Sequence, residues 1–123
     1  MAEVPPAPGP VERVLLAVAQ VPPGRVASYG EIGALAGVGP RQVGAIMRDH
    51  SEGFPWWRIV SASGVLVPLE KARPMWAAEG IAVRPDGLGC RMREFRVDVA
   101  ALASDYLVAA VERGWDGNPS GNG

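Results

Sequence analysis

Ser28-Tyr29-Gly30-Glu31-Ile32-Gly33-Ala34-Leu35-Ala36-Gly37-Val38-Gly39-Pro40-Arg41-Gln42-Val43-Gly44-Ala45-Ile46-Met47-Arg48-Asp49 is the stretch that decides how this chain folds. Ser28 stands three residues before Glu31, the S-x-x-E spacing in which a serine side chain caps a helix and the glutamate reaches back to the cap's amide. A helix is therefore expected to about Ala36, with Ile32, Leu35 and Ala36 as its inner stripe. Gly37-Val38-Gly39 makes a tight turn. Pro40 suits the first position of a second helix, where its missing N–H costs nothing and its fixed φ is already helical. That helix runs to about Asp49, with Val43, Ile46 and Met47 facing inward. Two short helices joined by three residues containing glycine make a helix-turn-helix. The opposite face of the second helix carries Arg41, Gly44, Ala45 and Arg48, two arginines flanking two small residues, which permits close approach to another surface. A narrow groove of DNA fits that face, and so does solvent around a mere packing unit; the pattern alone leaves both readings open.

Downstream lies Pro55-Trp56-Trp57-Arg58. Successive side chains diverge, so two adjacent indoles are rarely both buried in a small domain. At least one is expected to line a cleft, where its face can meet a planar ligand such as a nucleobase. Upstream, Val11, Val14, Leu15 and Val18 form the apolar stripe of a helix over 11–20, ended by Pro22-Pro23-Gly24. Arg58-Ile59-Val60 reads as a strand, followed by a Ser61–Gly64 turn into Val65-Leu66-Val67. Leu69 to Glu79 is helical in composition and stopped by Gly80; Pro74 either kinks it or delays its start to about Arg73. Ile81-Ala82-Val83 and Glu94-Phe95-Arg96-Val97 are expected to pair as a hairpin across Pro85-Asp86-Gly87, and Val99 to Arg113 as a helix. The ends, residues 1–9 and 114–123, are expected to be disordered around one domain over 10–113. The fold class is mainly α with a small β-hairpin.

At 123 residues the chain can bury one modest core. No apolar run approaches the ~20 residues of a membrane span, and the N-terminus has no basic region leading into an apolar core, so neither membrane nor signal peptide is expected. A cytoplasmic protein is expected, nucleoid-associated if bacterial. Cys90 is the only cysteine and His50 the only histidine, which excludes an internal disulfide and a zinc cluster, and no cofactor is expected. Net charge is −1, and residues 24–58 and 59–98 each carry +1. Affinity for DNA must then come from the placement of a few arginines and be salt-sensitive.

Several spaced motifs resemble one family. Val21-Pro22-Pro23-Gly24-Arg25-Val26-Ala27-Ser28-Tyr29-Gly30-Glu31-Ile32 resembles the opening of the DNA-binding domain of O6-alkylguanine-DNA alkyltransferases. Pro40-Arg41-Gln42-Val43-Gly44-Ala45-Ile46-Met47-Arg48 resembles their recognition helix. Pro55-Trp56-Trp57-Arg58-Ile59-Val60 stands where they carry Pro-Cys-His-Arg-Val, and Ser63-Gly64 and Glu79-Gly80 follow in order. The resemblance implies a winged helix-turn-helix-like DNA-binding domain. Its departures are chemical. Trp56 replaces the alkyl-accepting cysteine, and an indole is no substitute for a thiolate nucleophile. Trp57 replaces the histidine that helps ionise the thiol, so Glu79, similar to the third member of that relay, is left with nothing to orient. Cys90 lies outside the matching motifs and reads as a small core or loop residue. The pattern is similar to the alkyltransferase-like proteins, most of which keep that histidine.

The resemblance implies a non-enzymatic sensor that flips O6-alkylguanine out of duplex DNA and hands it to nucleotide excision repair. Its partners would be double-stranded DNA containing O6-alkylguanine and excision-repair proteins, and a monomer is expected. In the lesion pocket it implies Tyr29, Trp56, Trp57, Arg58 and Ser63. On DNA it implies Ser28, Tyr29, Arg41, Gln42, Gly44, Ala45 and Arg48. Arg41 would fill the vacated place in the stack, and Gly44 and Ala45 would let the helix sit in the minor groove. Tyr29 would press on the phosphate 3′ to the lesion, or else pack between helices. Trp57 would close the pocket or pack under the strand, Arg58 would buttress the pocket loop or touch phosphate, and His50 would make a helix-terminal hydrogen bond. Two alternatives stay open: a residual base-modifying enzyme, and a lesion-independent winged-helix regulator.

Overall fold

In the computed structural model, which describes residues 7–115, the extended backbone of Ser28 breaks into a helix at the capping box. The Ser28 hydroxyl accepts the Glu31 N–H at 3.1 Å, and Glu31 Oε1 accepts the Ser28 N–H at 2.9 Å. The chain order is α1 (Pro10–Ala19), β1 (Ala27–Ser28), α2 (Tyr29–Ala36), α3 (Pro40–His50), β2 (Ile59–Val60), α4 (Leu69–Glu79), α5 (Met92–Phe95) and α6 (Val99–Glu112). A single turn of 3₁₀ helix, Trp56–Arg58, precedes β2. Of the disorder expected at 1–9 and 114–123, the parts at 1–6 and 116–123 lie outside the described residues, whereas Gly9 bonds to Glu12 at the start of α1 and Trp115 packs against an apolar cluster.

Between α2 and α3, Gly37 takes φ 76°, the left-handed cap that glycine adopts without strain, and Pro40 opens α3. Val43, Ile46 and Met47 are all buried, as their spacing requires. Gly33 is the point of contact between the two helices. A methyl group there would collide with the Val38 carbonyl oxygen and meet Val43 Cγ2 at 3.3 Å. Gly33→Ala is therefore expected to destabilise the protein by roughly 1–3 kcal/mol through overpacking, although alanine is the better helix former. Urea melts of the two proteins check this, and an unchanged midpoint would mean that the turn yields freely.

α1 buries Val14, Leu16, Ala17 and Val18; of the stripe read from sequence Val11 and Leu15 are only half-buried, because α2 covers one side of the helix and α6 another. Pro74 sits inside α4, which nevertheless runs from Leu69 to Glu79. These helices enclose one apolar cluster with Ile59 and Val97. A second, of Val26, Val60, Leu66, Ala72, Trp76, Ile81 and Cys90, lies between the strands and α4.

The sheet differs from the expected hairpin. β1 and β2 pair in parallel, Ala27 against Ile59 and Ser28 against Val60. The Pro85-Asp86-Gly87 turn forms, closed by Arg84 N–H to Gly89 O at 2.8 Å, but residues 81–83 form no strand. Residues 92–95 coil into α5, and the backbone beyond them flanks β1: Val26 N–H donates to Phe95 O, and Val97 N–H to Val26 O, each at 2.8 Å. Alternation marks residues that bury one face, but it does not name the partner. Among the described residues no helix is long and apolar enough to cross a membrane.

Candidate functional site

The chain leaves α3 at Ser51 and folds back through Phe54, whose carbonyl accepts the Trp56 N–H at 2.7 Å. The following 3₁₀ turn sends the two indoles apart. Their rings meet edge to face, centroids 5.9 Å apart and planes at 86°. Trp56 packs against both apolar clusters and forms one wall of a cleft of about 310 Å³. Tyr29, at the start of α2, stands in the same cleft with Gly44, Met47 and Arg48 of α3. Leu66-Val67-Pro68 supply an apolar wall where Val65-Leu66-Val67 was expected to extend from the turn as a strand; Val67 is 82% exposed, and an apolar run halted by proline was the available signal. Burial pushes the Tyr29 phenol above its ordinary pKa, so it keeps its proton and can donate a hydrogen bond.

α3 turns Arg41, Gln42 and Arg48 outward. A methyl group on Gly44 would touch nothing within 4 Å, so this face is open to a flat or convex partner. α3 has no acidic residue in its first turn, and Arg41 places a cation at the positive end of the helix dipole, a local cost of roughly 0.3–1 kcal/mol. Arg48 and Asp49 approach to 3.5 Å with both side chains largely exposed, a pair of little energetic weight.

Other residues expected at the site lie elsewhere. Trp57 points away from the cleft and donates its indole N–H to Glu79 Oε2 at 3.0 Å. Arg58 grips the same carboxylate, Nη2 to Oε2 at 2.6 Å and Nε to Oε1 at 3.0 Å, and donates to Val21 O at 2.9 Å. Gly24 N–H completes the set at 3.0 Å. Glu79, read from sequence as having nothing to orient, is thus the most heavily bonded carboxylate among the described residues. Its pKa is subject to opposing effects. Burial raises it, but hydrogen bonds from Arg58, Gly24 and Trp57 and the charge of Arg58 together hold it below the ordinary glutamate value. Ser63 is exposed beside Ser61, and Ser28 is buried with its hydroxyl engaged as the α2 cap. His50, exposed at the end of α3, makes no side-chain hydrogen bond among the described residues. Cys90 is fully buried, which pushes its thiol above the ordinary value, and so it is a poor nucleophile. Among the described residues no group of three His, Cys, Asp or Glu side chains could hold a metal ion.

The chain is similar to known proteins in sequence and in fold. The family model described as 6-O-methylguanine DNA methyltransferase, DNA binding domain, matches residues 10–81. A DNA base-flipping protein of Escherichia coli (strain K12) is 36% identical over 84 residues, covering 62% of this chain and 65% of that protein. A DNA base-flipping protein of Vibrio parahaemolyticus serotype O3:K6 is 31% identical over 83 residues, covering 61% of this chain and 83% of that protein. Among solved structures, S. pombe Atl1 in complex with damaged DNA containing O6-carboxymethylguanine superposes with a TM-score of 0.65 at 26% identity, over 72% of this chain and 94% of that one.

Proposed function

The chain belongs to the 6-O-methylguanine DNA methyltransferase DNA-binding-domain family as an alkyltransferase-like protein, and on that premise we propose that it flips and holds O6-alkylguanine without repairing it. The observation that carries this reading is Trp56 in the cleft wall, beside Tyr29 and under the open face of α3. An indole there offers an apolar, stackable surface to an extruded base and no group that could accept its alkyl substituent. Cys90 cannot stand in, being buried in the second cluster with a raised pKa.

Arg48 would hold the phosphate backbone, and Arg41 would fill the gap left by the flipped nucleotide. Tyr29, protonated and half-buried at the cleft mouth, would donate to the phosphate beside it. An O6-alkylated guanine pairs poorly and is cheap to extrude, which together with apolar contact favours it over guanine. Having marked the lesion, the protein would leave its removal to nucleotide excision repair.

A gel-shift comparison of duplexes with guanine and with O6-methylguanine at one position, followed by the protein's mass, tests this. Tighter binding of the lesion with unchanged protein mass is expected. Equal binding would favour a lesion-independent regulator, and a methylated protein would make it an enzyme. The α3 face has its own test. Because a Cβ at position 44 meets no neighbour and the face beyond it is open, Gly44→Leu is expected to leave the melting temperature unchanged or raised, relief from helical glycine being worth up to about 1 kcal/mol. It should nonetheless weaken binding to both duplexes at least tenfold by holding α3 off the groove.

A further inference from the structure

We infer that Glu79 is a positioning residue for the cleft, acting through the Trp57 indole to fix the angle that Trp56 presents to a flipped base; this rests on the lesion-sensing reading above. Trp56 is half-buried, and among the described residues no hydrogen bond holds its indole N–H. Its orientation therefore depends on what packs against it, and the Trp57 ring stands edge-on to it at 5.9 Å. Trp57 is itself tied at several points. Its N–H donates to Glu79 Oε2 at 3.0 Å, the Arg58 guanidinium lies 5.4 Å from its ring centre, and its carbonyl accepts the Trp76 indole N–H at 2.6 Å.

Glu79 closes this arrangement because it reaches three separate segments: Gly24 before β1, the Trp57-Arg58 turn before β2, and α4, on which it sits. The chemistry is a latch and not a relay. Drawing a proton away from a nucleophile with the help of a carboxylate requires a middle group that takes a proton at one atom and gives one from another, as imidazole does. The indole offers one N–H and no acceptor nitrogen. It can be held by the carboxylate, and nothing can be transmitted through it except position.

The test compares binding of the wild type, Trp57→Phe, Glu79→Gln and Trp57→His to duplexes carrying guanine or O6-methylguanine. Trp57→Phe keeps an aromatic ring and the Arg58–Glu79 pair but removes the N–H, so it remains informative if Glu79→Gln fails to fold. Loss of a hydrogen bond to a charged acceptor is expected to lower the lesion-to-guanine binding ratio about fivefold, with affinity for the undamaged duplex as the reference. Glu79→Gln should lower the ratio similarly, since its amide would face the donors of Arg58 and Trp57, and the double variant should fall no further. Trp57→His, which returns an N–H toward Glu79, should recover most of the ratio. A wild type that discriminates, with both single variants discriminating equally well, overturns the latch and leaves the sensor intact. A wild type with no preference overturns both.

Discussion

Arg58→Ala is expected to lower the melting temperature by on the order of 10–15 °C. Both members of the Arg58–Glu79 pair are only 13% exposed in their side chains. Removing the guanidinium strands a carboxylate whose remaining donors, Gly24 and Trp57, cannot neutralise it, and it frees the Val21 carbonyl as well. Breaking a buried pair in this way costs about 3 kcal/mol or more, whereas replacing both partners by apolar residues of similar volume costs much less. Arg58→Met with Glu79→Leu should accordingly melt above Arg58→Ala.

The pH dependence follows from the direction of the Glu79 shift. Its folded pKa lies below the ordinary value of 4.5, so the pair gives its full stability at neutral pH and loses it as the pH falls through that lowered value. In Arg58→Ala the hydrogen bond and charge of Arg58 no longer lower the Glu79 pKa while burial still raises it, so the variant's pKa lies above that of the wild type and acid costs it less. The gap between the two melting temperatures should narrow on acidification below the ordinary glutamate range, and scanning calorimetry across that range checks it. A gap that widens in acid would mean that the carboxylate is not paired as described.

Trp56→Ala is expected to weaken binding to an O6-methylguanine duplex roughly 5- to 150-fold, the range set by losing one base–aromatic stacking surface of about 1–3 kcal/mol. Affinity for the undamaged duplex should change far less, because the phosphate contacts proposed above belong to α3 and its Arg48. Trp56→Phe, which keeps an aromatic face, should retain most of the preference. Since Trp56 also packs against both apolar clusters, the comparison belongs well below the melting temperature of the weakest variant. Equal losses on both duplexes would assign Trp56 to the core and not to recognition.

The helix-turn-helix was legible from sequence because every signal that builds it is local. The capping box joins Ser28 to Glu31, the cap at Gly37 and the start at Pro40 need only backbone geometry, and the spacing of Val43, Ile46 and Met47 states which face is buried. That position 56 holds no thiolate nucleophile was likewise decided by residue type, since no arrangement of neighbours turns an indole into one. What the two tryptophans do was not legible. Their adjacency said that they must diverge, but only the fold brought α4 beneath β2, carried Glu79 to Trp57 across 22 positions, and left Trp56 facing Tyr29 and Gly44. The same holds for the sheet, where β1 took β2 and the backbone around Phe95–Val97 as neighbours in place of the local hairpin. Periodicity and capping act over one turn of chain, whereas partners distant in sequence are chosen by how whole elements pack, and that choice belongs to the tertiary structure.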